Sequence, residues 1–377
     1  MTLLHLTETE LRARTSMKWR AFPPDVLPLW VAEMDVQQHP AVQAALAEAI
    51  ALGDTGYPCG TGYADAYADM AAQRWGWRPA PEQMRRSGDV MNTMLSFVLG
   101  NTAEGDHILI NPPIYPPFRQ IVTGYRRHLT EAHLTPAGRL DLDAIAAALD
   151  GPDHPTAYLL CSPHNPTGTL HTAAELAAVA ILCAERQVLL IVDEIHAPLV
   201  DPGESFVPIL SLPEGQQAVV AFSAGKGWSL AALKGGVMIR GQEAASVFER
   251  MPPLANQSTG QFATLAHTAA LRHAQGWVDE LMSEVASNKE LLGSLLAEQL
   301  PQVQYQRGPA TYLGWLDCSE LGLPDPRQHF LDAGRVALNH GQDFGSEYAQ
   351  FVRINLATSP ELVTEAIRRM AASLGMR

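Results

Sequence analysis

Ala218-Val219-Val220-Ala221-Phe222-Ser223-Ala224-Gly225-Lys226-Gly227-Trp228-Ser229-Leu230-Ala231-Ala232-Leu233-Lys234-Gly235-Gly236 is the stretch from which this chain is read. Ala218 to Phe222 is a short, continuous apolar run ending in small residues, the pattern of a buried strand. A single lysine, Lys226, follows among glycines and alanines. Desolvation there disfavours the charged ammonium, lowers the lysine pKa and leaves a neutral amine. A neutral amine can condense with an aldehyde to form a Schiff base. Taken alone, a lysine beside glycines is more often a loop residue reaching solvent, because lysine is rarely buried. The flanking sequence has to decide.

Upstream, three more apolar runs end in polar loops. His107–Ile110 leads into Asn111-Pro112-Pro113-Ile114-Tyr115, and Ala157–Leu160 leads into Ser162-Pro163-His164-Asn165-Pro166-Thr167-Gly168. Val188–Val192 ends at Asp193-Glu194-Ile195-His196, after a helical pattern over residues 172–187. Continuous apolar strands alternating with helices predict a mostly parallel sheet covered on both faces. Ligands of such sheets bind at the carboxyl ends of the strands. Tyr115, Asn165, Asp193 and Ser223–Lys226 all follow strand ends and are expected to line one crevice.

Further outward, Val237–Arg240 closes this unit, and long helical patterns run from about 260 to 299. Strand-like Thr311–Leu316 and Phe351–Thr358, with a terminal helix, predict a second, smaller α+β domain joined by a long helix. With 377 residues the chain exceeds the size at which one core usually divides. The expected division is residues 49–281 as the large domain, with 1–48 and 282–377 as the small one. Toward the start lie Trp30-Val31-Ala32-Glu33-Met34-Asp35, a helix from Pro40 to about Leu52, and a glycine-rich loop, Gly53–Tyr63, that presents Tyr57 and Tyr63. A helix is expected near Met91, and its first backbone N–H groups suit a phosphate.

A formal net charge of -14 and the absence of any Lys/Arg-rich run argue against nucleic acid and anionic membrane surfaces as partners. Cys59, Cys161, Cys183 and Cys318 are scattered, with no zinc-ligand spacing, so no metal site is expected. Free thiols and the lack of a signal-like start point to the cytoplasm. There is no dinucleotide-binding glycine fingerprint, no Walker A sequence and no Gly-x-Ser-x-Gly elbow.

The ordered set Ser-Pro-His-Asn-Pro-Thr-Gly at 162–168, Asp-Glu-Ile-His at 193–196, Ser-x-x-Lys at 223–226 and Arg-Ile-Asn at 353–355 resembles the fold-type I pyridoxal-phosphate enzymes of the class I/II aminotransferase superfamily. Trp-Val-Ala-Glu-Met-Asp at 30–35 is similar to a tract of the cystathionine β-lyase and C–S lyase branch. The resemblance covers nearly the whole chain. It implies the α/β aminotransferase fold, with a mostly parallel seven-stranded sheet in the large domain, and pyridoxal 5′-phosphate as cofactor.

The same resemblance implies a role for each residue. Lys226 would carry the cofactor and act as general base, and Asp193 would pair with the pyridinium nitrogen. Asn165 would donate to the ring hydroxyl oxygen, and Tyr115 would lie on the ring face. Ser223 and the N–H groups of Val90 and Met91 would hold the phosphate, with Lys234 where many transaminases place an arginine. Tyr57 would reach the phosphate of a neighbouring subunit, in a homodimer with shared active sites. Arg353 would take the substrate carboxylate, with Trp30 and Asn165 beside the substrate. His196 stands where many transaminases carry a tyrosine near the ring oxygen. From sequence alone Asp193 also fits a helix N-cap, Asn165 an Asx-turn, Tyr115 a core aromatic, Arg353 an edge-strand surface residue and His196 a buried, satisfied histidine.

The activity implied is β-elimination on cystathionine or another S-substituted L-cysteine, a small-molecule substrate. An aminotransferase acting on an amino acid and a keto acid is the alternative. It would be favoured if Arg119, Arg126 or Arg127 approached the site as a second cationic group. A regulatory protein using the same fold is the reading from another class, and an intact Lys226 with Asp193 and Arg353 argues against it.

Overall fold

The computed structural model describes residues 2–375. Seven strands form its main sheet: β1 Met84–Ser87, β2 His107–Ile110, β3 His128–Glu131, β4 Ala157–Cys161, β5 Leu189–Asp193, β6 Val219–Phe222 and β7 Gly236–Arg240. Their spatial order is β1-β7-β6-β5-β4-β2-β3. From β3 to β6 all neighbours are parallel. β7 alone runs antiparallel to both of its neighbours, β6 and β1.

The strands are continuously apolar because each face has its own core. Leu109, Tyr158, Leu160, Leu190, Val192, Val220 and Phe222 pack on one side. The alternate residues Ile108, Ile110, Leu159, Ile191, Val219 and Ala221 pack on the other. That division follows from the two-residue period of a strand. The two edge strands, β1 and β3, carry polar residues and lack the apolar run that marks the other five.

Helix ends follow the chemistry of their caps. Pro40–Leu52 stops at Gly53, whose φ of 70° suits glycine. Val90–Asn101 begins one residue before the expected start, because Asp89 caps it by accepting from the Asn92 amide at 2.7 Å. The long helical pattern divides at Ala274 into Gln261–His273 and Gln275–Gln299. The carbonyl of Ala274 accepts the indole N–H of buried Trp228 at 2.8 Å.

Gln275–Gln299 spans two cores. Val278, Leu281 and Val285 join the main one, while Leu292, Leu295 and Leu296 join a second. That second core lies against an antiparallel sheet of Gln304–Tyr305, Leu313–Asp317, Phe351–Asn355 and Asn339–His340, and against the terminal helix Pro360–Ser373. The strand expected from Thr311 starts at Leu313, because Thr311 sits at φ 61°, outside strand geometry. Among the described residues no helix is long and apolar enough to cross a membrane.

Candidate active site

The carboxyl ends of β4, β5 and β6 open on a cavity of about 140 Å³. Asn165, Asp193, His196, Ser223, Lys226, Tyr115, Val90, Met91 and Lys234 line it, as the sequence reading expects. Lys226 lies in the loop joining β6 to β7. These strands are antiparallel neighbours, so the loop returns directly without a crossover helix. Gly236 lets that return stay tight, since a Cβ there would fall 2.7 Å from Ser87 Oγ.

Lys226 is half-buried, and its Nζ donates to the carbonyl of Ala32 at 2.5 Å. Desolvation, with the Arg353 guanidinium next in size, brings its pKa down to about 8. The Asp193 carboxylate is buried, and its pKa is pushed up to about 7 for want of solvation. Asp193 Oδ1 accepts from the Ile195 amide at 2.9 Å, and among the described residues Oδ2 has no protein partner. Burial and the neighbouring Lys226 and Arg353 cations bring His196 down to about 3, so its imidazole is neutral. Among the described residues its Nδ1 finds no hydrogen-bond partner.

One end of the cavity is rich in donors. The Val90 and Met91 amides are the first in their helix and have no intrahelical acceptor. The Ser223 hydroxyl donates to the Gly235 carbonyl at 2.6 Å and accepts from the Gly225 amide at 3.0 Å. Lys234 stands at the rim, 3.1 Å from Asp89 Oδ2. Behind the loop, His267 Nε2 faces the Leu233 carbonyl at 2.9 Å and must be the protonated nitrogen. Its Nδ1 therefore accepts from the Tyr63 hydroxyl at 2.9 Å, whose oxygen accepts in turn from the Ala224 amide at 3.3 Å.

Arg353 lies behind Asn165, buried at the junction of the two cores. Nη1 donates to Asn165 Oδ1 at 2.8 Å, and Nη2 donates to Asn339 Oδ1 at 2.5 Å and to the Trp30 carbonyl at 3.3 Å. Its Nε has no partner among the described residues. Trp30 thus meets the site through its backbone, while its indole packs edge-on against Phe22. Tyr57 stays away from this cavity and is 99% exposed. Two groups were not anticipated from sequence. The Ala32 carbonyl and the Tyr312 hydroxyl, which donates to it at 3.1 Å, both sit beside Lys226. A backbone carbonyl leaves no signature in side-chain pattern, and Tyr312 reads as a core aromatic.

The arginines that would favour a transaminase with a second cationic group are engaged elsewhere. Arg119 pairs with Glu131, Arg126 with Glu104, and Arg127 donates to Thr102 and the Tyr125 carbonyl. None of the three lines the cavity.

A family model described as aminotransferase class I and II matches residues 26–370. The chain belongs to this family. Among its relatives, a Mycobacterium leprae protein provisionally named a cystathionine beta-lyase is 44% identical, with 99% of this chain and 98% of that protein covered. The Corynebacterium glutamicum cystathionine beta-lyase is 31% identical, with 97% and 98% covered. A Corynebacterium diphtheriae structure, provisionally described as a PLP-dependent beta-cystathionase, superposes with a TM-score of 0.93 at 28% identity, covering 100% of this chain and 99% of that one.

The cofactor of this class I and II aminotransferase-family chain is pyridoxal 5′-phosphate. The cavity fits that group chemically. A half-buried amine is available for the aldehyde, and a buried carboxylate whose Oδ2 has no hydrogen-bond partner among the described residues is available for a cationic ring nitrogen. The free Val90 and Met91 amides could take the phosphate, with the Ser223 hydroxyl turning to it from the Gly235 carbonyl.

Proposed function

We propose that the chain catalyses β-elimination on cystathionine or another S-substituted L-cysteine, consuming water and giving a thiol, pyruvate and ammonia. The observation that carries this reading is the half-buried Lys226 amine, which feels the charges of both Asp193 and Arg353. The lyase names of full-length relatives, and the engagement of Arg119, Arg126 and Arg127 away from the cavity, favour it over transamination.

When bound, pyridoxal phosphate supplies an aldehyde and a ring that accepts electrons from Cα. Lys226 Nζ would hold the aldehyde, and as general base it would take the proton from Cα, for which a pKa near 8 suits it. Asp193 holds the proton on the ring nitrogen, its own burial compensated by that cation. Asn165 Nδ2 would donate to the ring hydroxyl oxygen, Tyr115 would lie on the ring face, and His196 would add a neutral imidazole nearby. Val90, Met91, Ser223 and Lys234 anchor the phosphate. Arg353 takes the substrate carboxylate, with Trp30 at the same end, and fixes Cα over Lys226.

We infer further that the protein is a homodimer in which Tyr57 reaches the phosphate of the neighbouring subunit. Exposed Ile50, Leu52 and Leu254 support that reading, because such side chains are usually covered. Cytoplasmic residence is supported by four unpaired cysteines.

The test is pyruvate release from purified, cofactor-loaded protein given cystathionine without a keto acid. Sustained pyruvate with ammonia and free thiol is expected. A single-turnover change of the cofactor spectrum with no pyruvate would instead establish a transaminase.

A further inference from the structure

Residues 30–36 form an irregular strap that touches the cavity at Ala32 and whose backbone carbonyls are held mostly by distant side chains. The Val31 and Glu33 carbonyls accept from Asn355 Nδ2 at 2.8 and 2.7 Å. The Met34 and Val36 carbonyls accept from Arg14 at 3.1 and 2.6 Å. The Trp30 carbonyl takes Arg353, and the Ala32 carbonyl takes both Lys226 Nζ and the Tyr312 hydroxyl. A strap with its carbonyls satisfied this way has little freedom to shift.

Outside the cavity, the same strap carries a wholly buried carboxylate. Asp35 Oδ2 lies 2.6 Å from Lys18 Nζ, and Oδ1 accepts from Trp19 Nε1 at 2.8 Å. Lys18 Nζ also donates to the Glu33 carbonyl at 3.1 Å, and the Asp35 amide donates to the Ala357 carbonyl at 2.8 Å. The carboxylate therefore ties the strap to the Met17–Arg20 turn on one side, while the Asp35 backbone ties it to the end of the 351–355 strand on the other.

We propose that Asp35 is a positioning residue. Held by Lys18 and Trp19, it locks the strap so that the Ala32 carbonyl, steadied by Tyr312, docks the Lys226 amine whenever substrate displaces it. This rests on the reading of Lys226 as the cofactor-bearing base. A lysine released on its four-carbon stem has many rotamers, and a fixed acceptor selects one. A carbonyl can only accept, so the neutral amine donates one N–H to Ala32 and keeps its lone pair for the proton at Cα. Once protonated, the ammonium keeps that bond, and a hydrogen bond to the charged form favours it. The charged groups facing Lys226 are Arg353 and Lys234, which oppose its protonation, and Glu33 and Asp193, which favour it.

The experiment follows the pH dependence of Lys226 acetylation by acetic anhydride in cofactor-free protein, read by mass spectrometry, together with steady-state kinetics of the loaded enzyme. Asp35→Asn leaves Lys18 buried without its counter-charge and can unfold the segment. Two further variants accompany it: Lys18→Met/Asp35→Leu removes the pair together, and Trp19→Phe removes one donor to Asp35. The double variant is expected to lower the apparent pKa of Lys226 by about one unit and kcat by about tenfold with little change in KM. Trp19→Phe should move both in the same direction by less. Folded variants with a lower Tm but an unmoved Lys226 titration and kcat would overturn the dock and leave Asp35 as packing alone. Loss of the lysine reading is separable, since it would appear as pyruvate release undiminished in Lys226→Ala.

Discussion

Arg353 donates to Asn165 across 2.8 Å, and this contact fixes which way the Asn165 amide points. A guanidinium has only donors, so the atom facing it must be Oδ1. Nδ2 is then the group Asn165 offers to the cavity it lines. One arginine therefore serves both the carboxylate end and the ring end of the site in the function proposed above.

Arg353→Lys keeps the charge but removes the planar fork and the contact with Asn165. KM for an S-substituted cysteine should rise by about tenfold or more, near 1.4 kcal/mol of binding, with the fold intact. Steady-state kinetics decide, and an unchanged KM would remove Arg353 from the carboxylate subsite.

Glu194 gives a pH test independent of activity. Burial raises its carboxyl pKa from 4.5 to about 8, and among the described residues only Oε1 has a partner, the Ile209 amide at 2.9 Å. Between those pH values the unfolded chain has lost the proton and the folded one retains it, so the stability that the neutral acid provides falls as pH rises from 4.5 through about 8. Glu194→Gln should match the parent in thermal unfolding near pH 4.5 and exceed it near pH 9. Equal pH profiles for both proteins would show that Glu194 ionises without cost.

Tyr63 and His267 brace the Lys226 loop from behind. Burial brings His267 down to about 4, so it stays neutral and keeps the tautomer that the Leu233 carbonyl demands. Tyr63→Phe leaves the Ala224 amide and His267 Nδ1 unpaired and should cost about 1–3 kcal/mol. Denaturant unfolding measures this, and a loss below a few tenths would show that water replaces the hydroxyl.

If Tyr57 serves the neighbouring subunit, Tyr57→Phe should leave a dimer of unchanged mass in sedimentation while cofactor dissociates faster during dialysis. A monomeric parent protein, or unchanged cofactor retention, would defeat that reading.

The parts of this fold legible in the sequence were those whose side chains alone carry the signal. β2, β4, β5, β6 and β7 are apolar runs because helices cover both faces, whereas β1 and β3 carry arginines, histidines and acids suited to an edge and gave no run. Lys226, Asp193 and Asn165 were found because they follow strand ends and resemble an ordered motif set. The Ala32 carbonyl was hidden because any residue supplies one. The Lys18–Asp35 pair was hidden because 17 positions separate two ordinary surface-type residues.

The hold on the strap also sets when the site can exist during synthesis. Arg353 and Trp30 are 323 positions apart, and Asn355 and Val31 are 324 apart. A chain emerging from the ribosome can assemble the seven-stranded sheet around β6 well before residue 353 appears, but the strap has no anchor at its Arg353 and Asn355 contacts until the 351–355 strand is made. Synthesis of the 351–355 strand thus acts as a latch, and a nascent chain stalled before it should carry a folded sheet with an unfastened lysine pocket.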